Sequence, residues 1–246
     1  MFDFSGKNVI VTGGCGGLGR GIAAAFTEAG AKVLVMDISD RMEDIVREDG
    51  HAFGIRVDLA DRNDLKAGFE KAMEMLHGRL DVLVNCAGVQ RRHECEDFPM
   101  EDWDLVMEVN LNAVFELCQM AGRVMLREGG GKIVNIASML SFFGGLRVPA
   151  YSASKGGVMQ LTRALAVAWA GKNIQVNAIA PGYMDTEMNT ALIRDPVRSA
   201  SILSRIPAGR WGTPADVAGP ALFLASSAAD YLSGAIIPVD GGYLSC

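Results

Sequence analysis

Tyr151 and Lys155 stand four residues apart, and Ser138 precedes Tyr151 by thirteen. On a helix, positions i and i+4 share a face, so the phenol and the ammonium would lie side by side. A free tyrosine has a pKa of about 10 and is a poor base near neutrality. A neighbouring ammonium, together with the positive ring of an oxidised nicotinamide, favours the phenolate and draws that pKa down. Such a pair fits proton transfer to or from a carbinol oxygen while a hydride crosses to a cofactor. Taken alone, Tyr and Lys at this spacing describe an ordinary solvated helix face. The chemistry therefore depends on whether the chain also provides for a hydride carrier.

It does so near its start. The stretch TGGCGGLG, Thr12–Gly19, follows an apolar strand-like run and opens a helical pattern. Glycines there allow a sharp turn and close backbone approach to a pyrophosphate, whose charge the helix N-terminus stabilises. Gly13, Cys15, Gly16, Gly17, Leu18 and Gly19 are the candidate cofactor contacts in this turn. Asp37 closes the next strand about 20 residues on, as a dinucleotide fingerprint requires. A carboxylate there accepts hydrogen bonds from ribose hydroxyls and repels a 2′-phosphate. No Arg or Lys lies within the turn or directly after Asp37, so NAD is expected rather than NADP.

The elements that must position these groups alternate along the whole chain. Strands are expected at Asn8–Thr12, Lys32–Asp37, Ala52–Leu59, Asp81–Asn85, Lys132–Ser138, Ile174–Ala180 and Ala235–Val239. Runs such as VIVT, KVLVMD and KIVNIAS are apolar on consecutive residues, the mark of parallel strands covered on both faces. Helices are expected at about Gly17–Ala29, Arg41–Asp49, Asp61–Leu76, Glu101–Arg127, Tyr151–Ala170 and Pro214–Leu224. The pattern implies an α/β chain with one Rossmann-fold domain over residues 1–246: a doubly wound, seven-stranded parallel sheet with helices on both faces. Residues 182–211 break the rhythm with Pro196, Pro207 and Gly209, and are expected to form a substrate loop or lid.

Two helices say more. In Glu101–Arg127 the stripe Trp103, Met107, Asn110, Val114, Leu117, Ala121 and Val124 holds one polar residue, Asn110. A buried amide must have definite partners; on the residues alone Asn110 reads as a structural core amide. After Lys155 the run GGVMQLTRALAVAWA is apolar nearly all round, which predicts a second face packed on another subunit.

Composition limits the alternatives. The 246 residues carry a net charge of -6, which argues against nucleic acid as the main partner. No apolar run reaches the length of a bilayer span, and the N-terminus lacks a secretion signal. Cys15, Cys86, Cys95, Cys118 and Cys246 form no CxxC pair and read as reduced cytoplasmic thiols. His93 and Cys95 lack a second ligand pair, so no metal is expected.

Taken together, these pieces resemble the short-chain dehydrogenases/reductases over essentially the whole chain. The matching residues are TGGCGGLG, Asp58, NCAG (Asn85–Gly88), Asn110, Ser138, YSASK (Tyr151–Lys155), Pro181 and Gly182. Cys86 departs from the family, which more often has a second Asn there. The resemblance implies Tyr151 as general acid/base, Lys155 as pKa modulator and ribose ligand, and Ser138 as donor to the substrate oxygen. It implies Asn110 in a water-bridged proton relay, and Asp58, Leu59, Asn85, Ala87, Gly88, Pro181, Gly182 and Met184 along the cofactor groove. It also implies a homotetramer. Within the family, RR (Arg91, Arg92), IASMLSFFGGLRVPAYSASKGGV, APGYM and IPAGRWG look like the 2-dehydro-3-deoxy-D-gluconate 5-dehydrogenase group, which acts on sugar acids.

An anionic substrate also follows from residue chemistry. Arg147 lies between Ser138 and Tyr151, and Arg92 follows the fourth strand; a guanidinium fork suits a carboxylate. Arg91 reads equally as a solvated loop residue, and Phe142 and Phe143 as pocket wall or core. Competing expectations are a 3-oxoacyl-carrier-protein reductase, a gluconate 5-dehydrogenase and a non-catalytic NAD-binding protein. The S-x-x-K reading of Ser152–Lys155 lacks its companion motifs.

Overall fold

The computed structural model describes residues 2–246. Seven parallel strands form one sheet: β1 Asn8–Thr12, β2 Lys32–Asp37, β3 Phe53–Arg56, β4 Val82–Asn85, β5 Gly131–Ile136, β6 Ile174–Pro181 and β7 Ile236–Val239. Their spatial order is β3-β2-β1-β4-β5-β6-β7. The helices, in chain order, are α1 Gly17–Glu28, α2 Met42–Asp49, α3 Arg62–Met75, α4 Met100–Met107, α5 Ala113–Glu128, α6 Pro149–Trp169, α7 Thr190–Ile193, α8 Pro196–Leu203 and α9 Pro214–Ala225.

Consecutive apolar residues in the central strands β1, β2, β4 and β5 serve two cores. Ile10, Leu34, Met36 and Leu83 face one, with Leu65, Leu117 and Val158 from α3, α5 and α6. Val9, Val11, Val33 and Val35 face the other, with Ile22, Phe26 and Val217 from α1 and α9. Side chains alternate across a strand, so runs with no polar member require cover on both sides. Close approach of α5 and α6 depends on Gly122, where a Cβ would meet the Trp169 ring at 2.7 Å.

Strands β1 and β2 have the expected bounds, whereas β3 is only four residues long and β5 ends before Ser138. The larger departure concerns the helix expected over Glu101–Arg127. It is two helices joined by a π-turn at Glu108–Asn112, where the Ala113 N–H donates to the Glu108 carbonyl five residues back. Residues 182–211 contain α7 and α8 rather than a bare loop. The outward face of α6 is mostly apolar, with Val167 88% exposed beside exposed Ala164 and Ala168, and Gln160 and Arg163 as its polar members. Among the described residues, no helix is long and apolar enough to cross a membrane and no cluster of side chains could hold a metal ion.

Candidate active site

The strand order reverses direction between β1 and β4, and ligands of open α/β sheets bind in the crevice outside such a switch point. A cleft of about 630 Å³ lies there. Its walls include Gly13, Cys15, Gly16, Gly17, Leu18, Gly19, Asp37, Asp58, Leu59, Ala87, Gly88, Ser138, Tyr151, Lys155, Pro181, Gly182 and Met184. Most of the residues expected around a cofactor are thus brought to one crevice.

The glycine turn has the tightness expected. Gly13 has φ +69° and packs so closely on Ala87 that a Cβ would meet its Cα at 2.8 Å; a Cβ on Gly19 would run into the Gly13 carbonyl. Thr12 ties the turn to β4, its Oγ1 accepting from the N–H groups of Cys86 and Ala87, each at 3.1 Å. Asp37 fixes the other wall. Its Oδ2 accepts from the Cys15 N–H at 3.0 Å and its Oδ1 from the Ser39 N–H at 3.0 Å. Each oxygen keeps lone pairs for further donors. A backbone cradle at a helix start, with a carboxylate at the end of the next strand, fits a nicotinamide dinucleotide.

The other end of the cleft carries the proton chemistry. Ser138 follows β5, and its Oγ accepts from the Leu140 N–H at 3.1 Å, which orients the hydroxyl and leaves its proton to donate. Ser141 Oγ accepts from the Ser138 N–H and donates to the Lys155 carbonyl at 2.7 Å, clamping the end of β5 to α6. Lys155 is buried, and its Nζ donates to the Ile136 carbonyl at 2.7 Å, 5.7 Å from the centre of the Tyr151 ring. Burial pushes the Lys155 ammonium down to about 8. Burial likewise pushes the Tyr151 phenol up to about 12, opposed by a hydrogen bond from Ser138. The sequence reading expected the phenol to move downward. In the protein alone, loss of water around it outweighs the Ser138 hydrogen bond and the charge of Arg92.

Asn110 is fully buried in the π-turn. Its Oδ1 accepts from the Val89 N–H at 2.8 Å, and its Nδ2 donates to the Val89 carbonyl at 2.9 Å and to Ser154 Oγ at 3.3 Å. A Cβ placed on Gly88 would lie 3.3 Å from Asn110 Oδ1 and 3.7 Å from Lys155 Nζ, so all three meet behind the cleft.

Asn85 is not brought to the cleft wall. Its Nδ2 donates to Asn135 Oδ1 at 2.8 Å and to Cys118 Sγ at 3.3 Å, in a buried polar cluster that continues from Asn135 to Thr162. The pleat turns this side chain to the sheet face covered by α5 and α6, while the following Cys86 faces the groove. Arg147 is committed to an ion pair, its Nε 3.0 Å from Glu94 Oε1. Arg92 hydrogen-bonds Gln90. Partial burial and the nearby Arg198 depress its pKa, with Arg147 adding and Tyr183 and Tyr151 opposing. Arg91 lines the cleft with its Nε 3.1 Å from Asp102 Oδ1. Phe143 stacks on Tyr243 at 5.9 Å, and Phe142 is exposed.

Sequence reasoning missed Arg198, which α8 carries from the 182–211 excursion, and the Thr186–Asn189 stretch that walls the cleft. A cation in a segment expected to cover the substrate was the available signal for Arg198. Nothing local marked the second.

Turn, carboxylate and Ser–Tyr–Lys group together define an oxidoreductase that works with a nicotinamide cofactor. The comparisons place it more narrowly. A family model described as enoyl-(acyl carrier protein) reductase matches residues 13–244. The chain is 48% identical to the 2-dehydro-3-deoxy-D-gluconate 5-dehydrogenase of Dickeya dadantii, over 99% of this chain and 98% of that protein. It is 41% identical to the 5-keto-D-gluconate 5-reductase of Escherichia coli K12, over 99% and 98%. A solved gluconate 5-dehydrogenase from Burkholderia cenocepacia, in complex with NADP and tartrate, matches with a TM-score of 0.93 at 37% identity, over 100% of this chain and 98% of that one. The chain belongs to the short-chain dehydrogenase/reductase family.

Proposed function

We propose that this protein is an NAD-dependent dehydrogenase that interconverts a ketone and a secondary alcohol on a sugar acid, as the 2-dehydro-3-deoxy-D-gluconate 5-dehydrogenases similar to it are named for doing. The observation that carries the reading is one cleft holding Asp37 at the end of β2 and Ser138, Tyr151 and Lys155 beyond β5. Three strand spacings separate those walls, roughly 14 Å. A nicotinamide bound in that cleft supplies or accepts the hydride.

The chain's own groups handle the proton. Ser138 offers its hydroxyl as a hydrogen-bond donor to the substrate oxygen, without transferring the proton, and holds that oxygen near the phenol. Tyr151, protonated at neutral pH, gives its proton to that oxygen in reduction and takes it back in oxidation. Lys155 stabilises the phenolate that forms. With the Asn110 carboxamide committed to Val89 and Ser154, its share of a water-bridged path from Lys155 falls to its main-chain carbonyl.

Arg92, Arg147 and Arg198 give the substrate end a cationic rim on which Glu94 is a paired carboxylate. That rim suits a sugar carboxylate; the tartrate in the Burkholderia relative is an acid of related chemistry. Residues 182–211, within a chain read as one domain, would then cover the substrate. The Asp37 carboxylate supports NAD, although that relative holds NADP. A cytoplasmic homotetramer fits the unpaired thiols and the exposed apolar face of α6. Screening keto- and hydroxy-sugar acids with NAD(H) and NADP(H), followed at the nicotinamide absorbance, tests the reading. Turnover of neutral ketones only would overturn the substrate class. A gluconate 5-dehydrogenase is the second reading, favoured by the Burkholderia match, and the same screen separates it.

A further inference from the structure

The arginines near Asp37 are not free. Arg20, the fourth residue of α1, is held by a fork from α2: its Nε lies 2.7 Å from Asp49 Oδ2 and its Nη2 2.7 Å from Asp49 Oδ1. The same Nη2 lies 3.1 Å from Glu48 Oε2, while Glu48 Oε1 lies 3.5 Å from Arg41 Nη2. Arg41 lies four residues after Asp37 at the start of α2, its N–H donating to Ser39 Oγ. Arg56, which ends β3, pairs with Asp40 at 3.0 Å. Arg20, Asp49 and Asp37 all act on the Cys15 thiol in the glycine turn, so their charges reach the wall where the adenosine ribose would lie.

We infer that Glu48 and Asp49 are specificity-determining residues for the cofactor: by pinning Arg20 and Arg41, they withhold from the ribose 2′ position the cations that could bind a phosphate there. Asp37 repels such a phosphate directly, and this second layer removes its counter-ions. A guanidinium in a two-pronged pair with a carboxylate has its best anion-binding edge occupied. A chain whose Arg20 and Arg41 are paired in this way can therefore still reject a 2′-phosphate. The inference rests on the NAD reading of Asp37.

The test is binding. Dissociation constants for NADH and NADPH are read from nicotinamide fluorescence, and for adenosine 2′,5′-bisphosphate by calorimetry. They are measured on the wild type, on Glu48→Gln/Asp49→Asn, and on that variant with Arg20→Ala and Arg41→Ala added. Expected is a tightening of NADPH and the bisphosphate of about tenfold in the double variant, with NADH changed less than about twofold, and loss of that gain once the arginines go. Asp49 also lies 3.6 Å from the buried His51 ring, so its loss could unsettle α2. Glu48→Gln alone spares that contact and should still tighten NADPH by about threefold. An unchanged NADPH/NADH ratio in the folded variants overturns the inference, as does a gain that survives removal of both arginines. A wild type that prefers NADPH instead overturns the reading of Asp37, a separate outcome.

Discussion

Asn110 closes its carboxamide on both main-chain polar atoms of Val89, accepting from the N–H at 2.8 Å and donating to the carbonyl at 2.9 Å. This bond pair ties the π-turn between α4 and α5 to the loop that leaves β4, and so sets the floor of the cleft. Asn110→Ala leaves the part-buried Val89 N–H and carbonyl without this partner, each costing about 1–3 kcal/mol. Urea unfolding should show a loss of roughly 2–4 kcal/mol, with kcat falling as the loop relaxes. A variant as stable as the parent would show that water replaces the amide.

Tyr151→Phe removes the proton donor and leaves the ring's packing. Turnover should drop by about 10³-fold or more, while NADH binding, read by fluorescence, changes little. Appreciable residual activity would exclude the phenol as acid/base.

The two shifted groups give the pH dependence a sign. Burial holds the Lys155 ammonium down at about 8, below its usual 10.5, so raising pH above 8 strips the charge that supports a phenolate. Tyr151 keeps its proton to about 12 and does not limit reduction there. The alkaline limb of kcat/KM should therefore fall near pH 8 and move upward in Lys155→Arg. Folding stability runs the other way. Between 8 and 10.5 the unfolded chain holds the Lys155 proton that the native chain has lost, so this group adds stability as pH rises. A limb unmoved by Lys155→Arg would assign it elsewhere.

The substrate arginines should differ. Arg92→Ala is expected to raise KM for a sugar acid about tenfold more than for a neutral ketone, since it lies near Tyr151 and among the described residues its side chain bonds to Gln90 rather than to a carboxylate. Arg147→Ala removes a cation already paired with Glu94, so the same comparison should show a smaller split. The reverse order in steady-state assays would make Arg147 the carboxylate reader.

Much of this was legible in the sequence because the relevant signals are local. Runs such as KVLVMD mark a strand covered on both faces, and the glycine turn, Asp37 and YSASK each carry their geometry in their spacing. What escaped was non-local or cancelled along the chain. The apolar stripe through Asn110 continues across the π-turn, so periodicity alone shows one helix. Asn85 sits in a cofactor motif, yet the pleat turns its side chain toward Asn135. The Glu94 partner of Arg147 and the Asp49 partner of Arg20 lie far off in sequence, and no spacing rule finds them.

The π-turn at Glu108–Asn112 is in effect a one-residue insertion in a long helix. One residue rotates everything after it by about 100° around the helix axis. Deleting a residue there would restore an unbroken α-helix and swing α5 off its present bearing. Leu117, Ala121 and Val124 would then turn from the sheet toward water, and the exposed Phe115 and Leu126 would change direction with them. A single codon's length thus fixes, at once, where the active-site amide points and which surface α5 shows to its surroundings.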